Sequence, residues 1–182
     1  MTRGLPRAAW AVLVALYVLA FPYHPGLRSP NELARLWQTR AWVDHGTLSM
    51  NRALQEYGRV GDLSVKDGRY YSSKAPLLSA AAVPLYALLR AAQGGDGHRV
   101  PELALVFLAR LLLTVAPTLL LLALLRRFLA AHLPAPLPDA LTLTYALGSL
   151  AFSYSLLFMS HKPSAVLLFA SFYALWRVGR GA

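Results

Sequence analysis

The run Pro101-Glu-Leu-Ala-Leu-Val-Phe-Leu-Ala-Arg110-Leu-Leu-Leu-Thr-Val-Ala-Pro-Thr-Leu-Leu-Leu-Leu-Ala-Leu-Leu125, closed by Arg126-Arg127, decides the class of fold. It exceeds the roughly 20 apolar residues needed to cross a hydrocarbon core. Glu102 and Arg110 are its only ionisable residues, and paired arginines at its end suit a cytoplasmic boundary. The whole composition agrees with a membrane protein: 57% of residues are apolar, only 14% are charged, and the mean hydropathy is +0.45. The formal charge of +10 is scattered through a polar loop and the ends of apolar runs, so it forms no nucleic-acid footprint. With no cysteine in the chain, disulfides, thiolate metal sites and cysteine nucleophiles are excluded.

Working outward from this run, residues 139–159 and 163–178 read as two more spans, and residues 6–23 as the first. Arg3 and Arg7 ahead of a short apolar core also fit a cleaved signal peptide. Trp10 and Tyr17 make the segment bulkier than a usual signal core, which favours a retained span. Residues 75–92 are apolar but short, and Pro84 interrupts them. Kept outside the membrane, they leave Arg3, Arg7, Arg126, Arg127, Arg177 and Arg180 on the inner side against Lys162 on the outer. If they spanned, the four later arginines would all move outside, against the positive-inside rule. The expected fold is therefore all-α and membrane-integral, in one domain of about four spans. Both ends are cytoplasmic, and a long structured loop over residues 24–100 lies on the outer face of a bacterial inner membrane. The turn Pro134-Ala-Pro136-Leu-Pro138 is stiff, with Asp139 as a cap for the third span, and Gly148, Ser149, Ala151, Ser153 and Ser155 give that span small-residue faces for packing.

Five of the eight acidic residues, Glu32, Asp44, Glu56, Asp62 and Asp67, fall between residues 23 and 74. Within this loop Ser29 is a good N-cap, Pro30 suits the first helical position, and Glu32 completes a capping box. Leu33, Leu36, Trp37 and Ala41 recur at helical spacing, which predicts an amphipathic helix along the membrane surface, stopped by Gly46. Asp67-Gly68 between residues 63–66 and 69–72 predicts a tight hairpin.

Several of these runs together carry a resemblance. Asn31-Glu32 follows the first span, then come Asp44-His-Gly46-Thr-Leu-Ser, Asp62, Asp67-Gly68-Arg-Tyr-Tyr-Ser-Ser-Lys74-Ala-Pro76 and Pro84-Leu-Tyr86. This pattern resembles the amino-terminal part of GT-C fold glycosyltransferases, in particular the relatives of protein mannosyltransferase and lipid A aminoarabinose transferase (glycosyltransferase family 39-like). The resemblance implies transfer of a sugar from a polyprenyl-phosphate donor to an acceptor on the external face. It also implies an acidic residue of the first external loop in a catalytic or acceptor-orienting role, and a juxtamembrane helix over residues 75–92. Where that family often carries Asp-Glu this chain has Asn31-Glu32, which leaves Glu32 as the only carboxylate there. Family members usually have more spans, so the resemblance implies an amino-terminal fragment, a truncated gene product or an inactive remnant.

Each candidate residue has a functional and a plainer reading. Glu32 is a general base for the acceptor hydroxyl, or closes its capping box. Asp62 and Asp67 suit a divalent metal, or Asp67 serves turn chemistry alone. Arg110, ionised within a span, meets a donor phosphate or pairs with Glu102. His161 and Lys162, like Lys74, meet a lipid phosphate or fill a polar turn. Trp37, Trp42, Tyr70 and Tyr71 read as interfacial anchors. The alternative to an enzyme is a small non-enzymatic membrane protein that binds lipid or a partner chain.

Overall fold

The computed structural model describes residues 7–20, 29–94 and 100–181. The protein is 72% helical. It divides into two compact units, residues 24–109 and residues 1–23 with 110–182. The outer ends of the expected first span, before residue 7 and after residue 20, lie outside the described residues.

In the unit of residues 24–109, helix α2 (Pro30–His45) begins where the sequence places it. The Ser29 hydroxyl accepts from the Asn31 amide at 3.2 Å, Pro30 opens the first turn, and Gly46 closes the helix at φ 61°. That left-handed conformation costs glycine nothing. Helix α3 (Asn51–Tyr57), the strands β1 (Leu63–Lys66) and β2 (Arg69–Ser72), and helix α4 (Leu77–Ala92) pack around α2. The hairpin forms as predicted, with Val65 opposite Tyr70 and the turn residues Asp67 and Gly68 at φ 51° and 71°. Helix α4 is 16 residues long and runs on through Pro84. At about 1.5 Å per residue it is shorter than a hydrocarbon core is thick.

Here one expectation is overturned. Helix α2 does not lie along a surface: Ala34, Arg35, Leu36, Trp37, Gln38, Thr39, Arg40 and Ala41 are consecutive and all buried. Several groups of the polar face have specific partners that let it be enclosed. The Thr39 hydroxyl lies 2.9 Å from the Ser79 carbonyl of α4, the Trp37 indole donates to Gly58 O at 2.9 Å, and Arg40 lies over the rings of Tyr57 and Trp37, 4.0 and 4.8 Å from their centroids. Buried polar groups with such partners do not need water. Trp37 is accordingly a core residue, 4% exposed, and not an interfacial anchor.

The other unit contains α1 (Arg7–Leu19), α7 (Leu137–Leu147), α8 (Leu150–Ser155) and α9 (His161–Gly179). It also holds most of a helix built from α5 (Glu102–Arg110), a π-helical turn (Leu111–Val115) and α6 (Ala116–Ala130). Together these form Glu102–Ala130, 29 residues, the one described helix long and apolar enough to cross a membrane. The π turn has a local cause, since Pro117 lacks the amide that would bond the carbonyl four residues earlier, and a widened turn relieves the clash. Helix α6 packs on α7 and α9, and α1 is tied to α7 by the Tyr17 hydroxyl, which donates to Ala146 O at 2.8 Å.

The expected third span over residues 139–159 is broken after Leu147. Ser149 turns to extended backbone (φ −129°, ψ 170°), and its hydroxyl accepts from the Ala151 amide at 3.1 Å to cap α8. Gly148 is needed at this break, because a Cβ there would stand 2.9 Å from Thr144 O. The Gly148-Ser149 pair thus ends one helix and starts the next, where its small size suggested helix packing. Asp139 does not cap α7 either, for that helix starts two residues earlier and Asp139 forms an ion pair with Arg126. Outward faces on this unit are strongly apolar, with Leu167, Leu168, Leu175 and Val178 of α9 all more than half exposed.

Candidate functional site

Helix α2 sets the geometry of the first candidate site. Its opening Ser29-Pro30 pair places Glu32 in the first turn, where the helix dipole favours a carboxylate, and Glu32 is 1% exposed. One turn on, the Arg35 guanidinium bonds Asn31 Oδ1 through Nε at 3.0 Å and Ala75 O through Nη1 at 3.1 Å. Arg35 thereby ties the start of α2 to the segment that carries Lys74. Burial pulls the Arg35 guanidinium below its ordinary range, and the charge of Asp62 opposes that shift.

Lys74 does not stand as an open cation: its Nζ lies 3.1 Å from Asp62 Oδ2. The same contact engages Asp62, which with Asp67 is one of the two carboxylates considered for a divalent metal. One of the two carboxylates is already neutralised, the other belongs to the left-handed residue of the hairpin turn, and the described residues hold no group of three or more His, Asp or Glu side chains to complete a cation site.

Further along α2, Asp44 is the centre of a network that the sequence did not announce. Its Oδ2 accepts from Tyr86 at 2.8 Å and from Tyr57 at 3.4 Å, and its Oδ1 lies 3.3 Å from Arg90 Nη1. Burial raises the Tyr86 phenol well above its ordinary 10.0, and the bond to Asp44 pushes the same way. Four polar atoms of the helix, Gln38 Oε1, Arg40 Nε, Trp42 Nε1 and His45 Nε2, are buried without a hydrogen-bond partner among the described residues, although His45 Nε2 lies 3.4 Å from Glu56 Oε1. Unpaired polar atoms are rare in a folded core and mark places where a bound molecule or water is expected.

Arg110 and His161 belong to the other unit. Arg110 is 1% exposed, the largest fully buried side chain among the described residues, and the π turn begins directly after it. Glu102, the partner considered for it, is exposed. His161 is exposed at the start of α9, its ring 5.0 Å from that of Tyr154. Its neighbour Lys162, expected in a polar turn, is instead 3% exposed in the first turn of α9. The Lys162 Nζ donates to Tyr145 Oη at 3.0 Å, across 17 residues of chain, and lies 4.6 Å from the Tyr145 ring centroid, a pairing that no signal within the sequence foretold.

The structure thus brings Asn31, Arg35, Lys74 and Asp62 together around the start of α2, the helix that carries Glu32. Comparison of the chain with protein-family models, with curated proteins and with solved structures returns no match.

Proposed function

We propose that the chain is a membrane glycosyltransferase of the GT-C type, or its amino-terminal portion, which transfers a sugar from a polyprenyl-phosphate donor to an acceptor on the external face of a bacterial inner membrane. The observation that carries this reading is Glu32: a carboxylate 1% exposed, in the first turn of a helix whose next turns bury Arg35 and Arg40. A structural cap has no need of such depth, and burying ionised groups is costly unless they serve a purpose. In the proposed reaction Glu32 takes the proton of the acceptor hydroxyl as its oxygen bonds to the anomeric carbon. The bond from that carbon to the phosphate oxygen breaks, and the polyprenyl phosphate leaves with the electron pair.

On this reading α1, the helix Glu102–Ala130, the broken pair α7 and α8, and α9 are four membrane spans, with residues 24–100 outside and both termini cytoplasmic. Support comes from the apolar outward faces of α9 and from Leu112 and Leu120, each at least half exposed on the long helix. Lipid covers such surfaces at no cost.

The test is Glu32→Gln in membranes, with radiolabelled polyprenyl-phosphate sugar as donor. Transfer is expected to drop by about 100-fold or more, the range of a lost general base, while the variant inserts and extracts as the native chain does. Full transfer by this variant would remove Glu32 from the mechanism. The second reading, a non-enzymatic protein that binds lipid or a partner chain, draws on the internal pairing of Lys74 with Asp62, and it expects no dependence on Glu32.

A further inference from the structure

The hairpin of β1 and β2 is closed along one edge and open along the other. Its two-residue turn, and the 3.2 Å bond from the Ser73 amide to Asp62 O, make Lys66 with Arg69 and Ser64 with Tyr71 the hydrogen-bonded pairs. The backbone groups of Leu63 and Val65 on β1, and of Tyr70 on β2, therefore point out of the ribbon. On the β2 side they are taken, since the Met50 amide donates to Tyr70 O at 2.8 Å and the Tyr70 amide to Asn51 Oδ1 at 2.8 Å. On the β1 side the Leu63 amide turns back to Gly61 O at 3.1 Å. That leaves the Leu63 carbonyl and both backbone groups of Val65 without a partner among the described residues.

The two faces beside this edge differ in chemistry. Side chains alternate across a strand, so Leu63, Val65 and Tyr70 share one face and Lys66 and Arg69 the other. The first face borders a cleft of about 390 Å³ lined by Leu54, Arg59, Val60, Leu63 and Tyr70 among others. Val65 is 65% exposed and Tyr70 41%, so the strip is bare. Nearby carboxylates are already engaged: Asp62 lies 3.1 Å from Lys74, and Glu56 3.4 Å from His45. Arg59, Lys66 and Arg69 have no ion-pair partner among the described residues, and Asp67 at the turn offsets one of these three charges.

An open strand edge is a template for an extended chain. A second copy of this protein would set Lys66 and Arg69 against their own equivalents, which like-charge repulsion disfavours. An anionic lipid surface would meet the cations but leave the outward carbonyls of β1 unbonded. We propose that the outer edge of β1 is a docking site for an extended acidic segment of a partner protein, which adds to the hairpin as a third, antiparallel strand. Val65 has both groups open, and antiparallel pairing lets it exchange both bonds with one residue of that segment. Apolar side chains of the segment then lie along Leu63, Val65 and Tyr70, and the acidic ones that alternate with them meet Lys66 and Arg69. The site uses no residue of α2 and stands whether or not the chain transfers a sugar.

The experiment uses the full chain in phosphatidylcholine nanodiscs, with a fluorescent, end-blocked Glu-Val-Glu-Val-Glu peptide as the probe. Saturable binding is expected, weaker by about tenfold or more for the same peptide with N-methylated valines, which keeps the charge and loses the backbone donors. Val65→Pro removes the outward amide and sets a ring on the edge, while the hairpin's own bonds run through Ser64 and Lys66. It is expected to weaken binding by about tenfold or more, whereas Val65→Thr, which keeps the amide, stays within a few fold. Should Val65→Pro fail to fold, Lys66→Glu combined with Arg69→Glu is expected to lose the acidic peptide and to bind Lys-Val-Lys-Val-Lys in its place. Equal binding of the N-methylated peptide, native binding by Val65→Pro, or native binding by the charge-reversed chain overturns the proposal. Phosphatidylglycerol vesicles that displace the peptide and bind Val65→Pro as tightly as the native chain would show a lipid-facing surface and overturn the partner assignment.

Discussion

Glu32, Arg35 and Lys162 illustrate how far a residue's chemistry depends on where the chain buries it. All three are ionisable, and all three are less than 5% exposed. Tyr86 and Asp44 make the point measurable. The folded protein holds the Tyr86 phenol protonated through its bond to Asp44, whereas the unfolded chain loses that proton around the ordinary 10.0. A raised pKa in the folded state gives stability that is complete below the unfolded value and lost as pH rises beyond it. Stability should therefore fall between about pH 9 and about pH 11, and Tyr86→Phe should lessen that fall by on the order of 1 kcal/mol. Thermal unfolding of both chains across this range checks it. Equal slopes would mean that the phenol is not held by Asp44.

Elements in this protein are set by short local signals. Ser29-Pro30 starts α2, Gly46 ends it, and Asp67-Gly68 folds β1 onto β2, each through backbone conformations that only a few residue types adopt at low cost. These features were legible because their causes lie within about four residues. Gly68→Ala tests the hairpin. The new methyl would meet nothing within 4 Å, so its cost comes only from the left-handed φ of 71°. A loss of about 1–2 kcal/mol in unfolding free energy is expected, with helical circular dichroism unchanged. No loss would mean that the turn relaxes to another type. The π turn at Leu111–Val115 and the break at Gly148-Ser149 were less legible, although Pro117 and the Gly-Ser pair were in view. In a long apolar run hydropathy outweighs such punctuation, and a broken span reads the same as a continuous one.

At the scale of the whole molecule, the absence of native cysteine makes topology directly testable, because any single introduced thiol is the only one labelled. If residues 24–100 are external, Gln55→Cys on α3 should react with a membrane-impermeant maleimide in intact spheroplasts. Ala135→Cys, in the proline-rich turn between α6 and α7, should react only after permeabilisation. Labelling of both from the same side would refute the four-span arrangement.

The sequence by itself determined the mainly helical class, one long apolar helix, the caps of α2 and the hairpin register. Periodicity, capping and turn preference act between near neighbours and are written in the local order of residues. Tertiary structure alone decided that α2 is a core helix and not a surface one, that Lys74 is taken by Asp62, and that Lys162 is buried against Tyr145. Thr39 meets Ser79 across 40 residues of chain and Tyr86 meets Asp44 across 42. Burial is decided by such distant pairings, because a polar side chain enters a core only where another part of the chain offers it a partner.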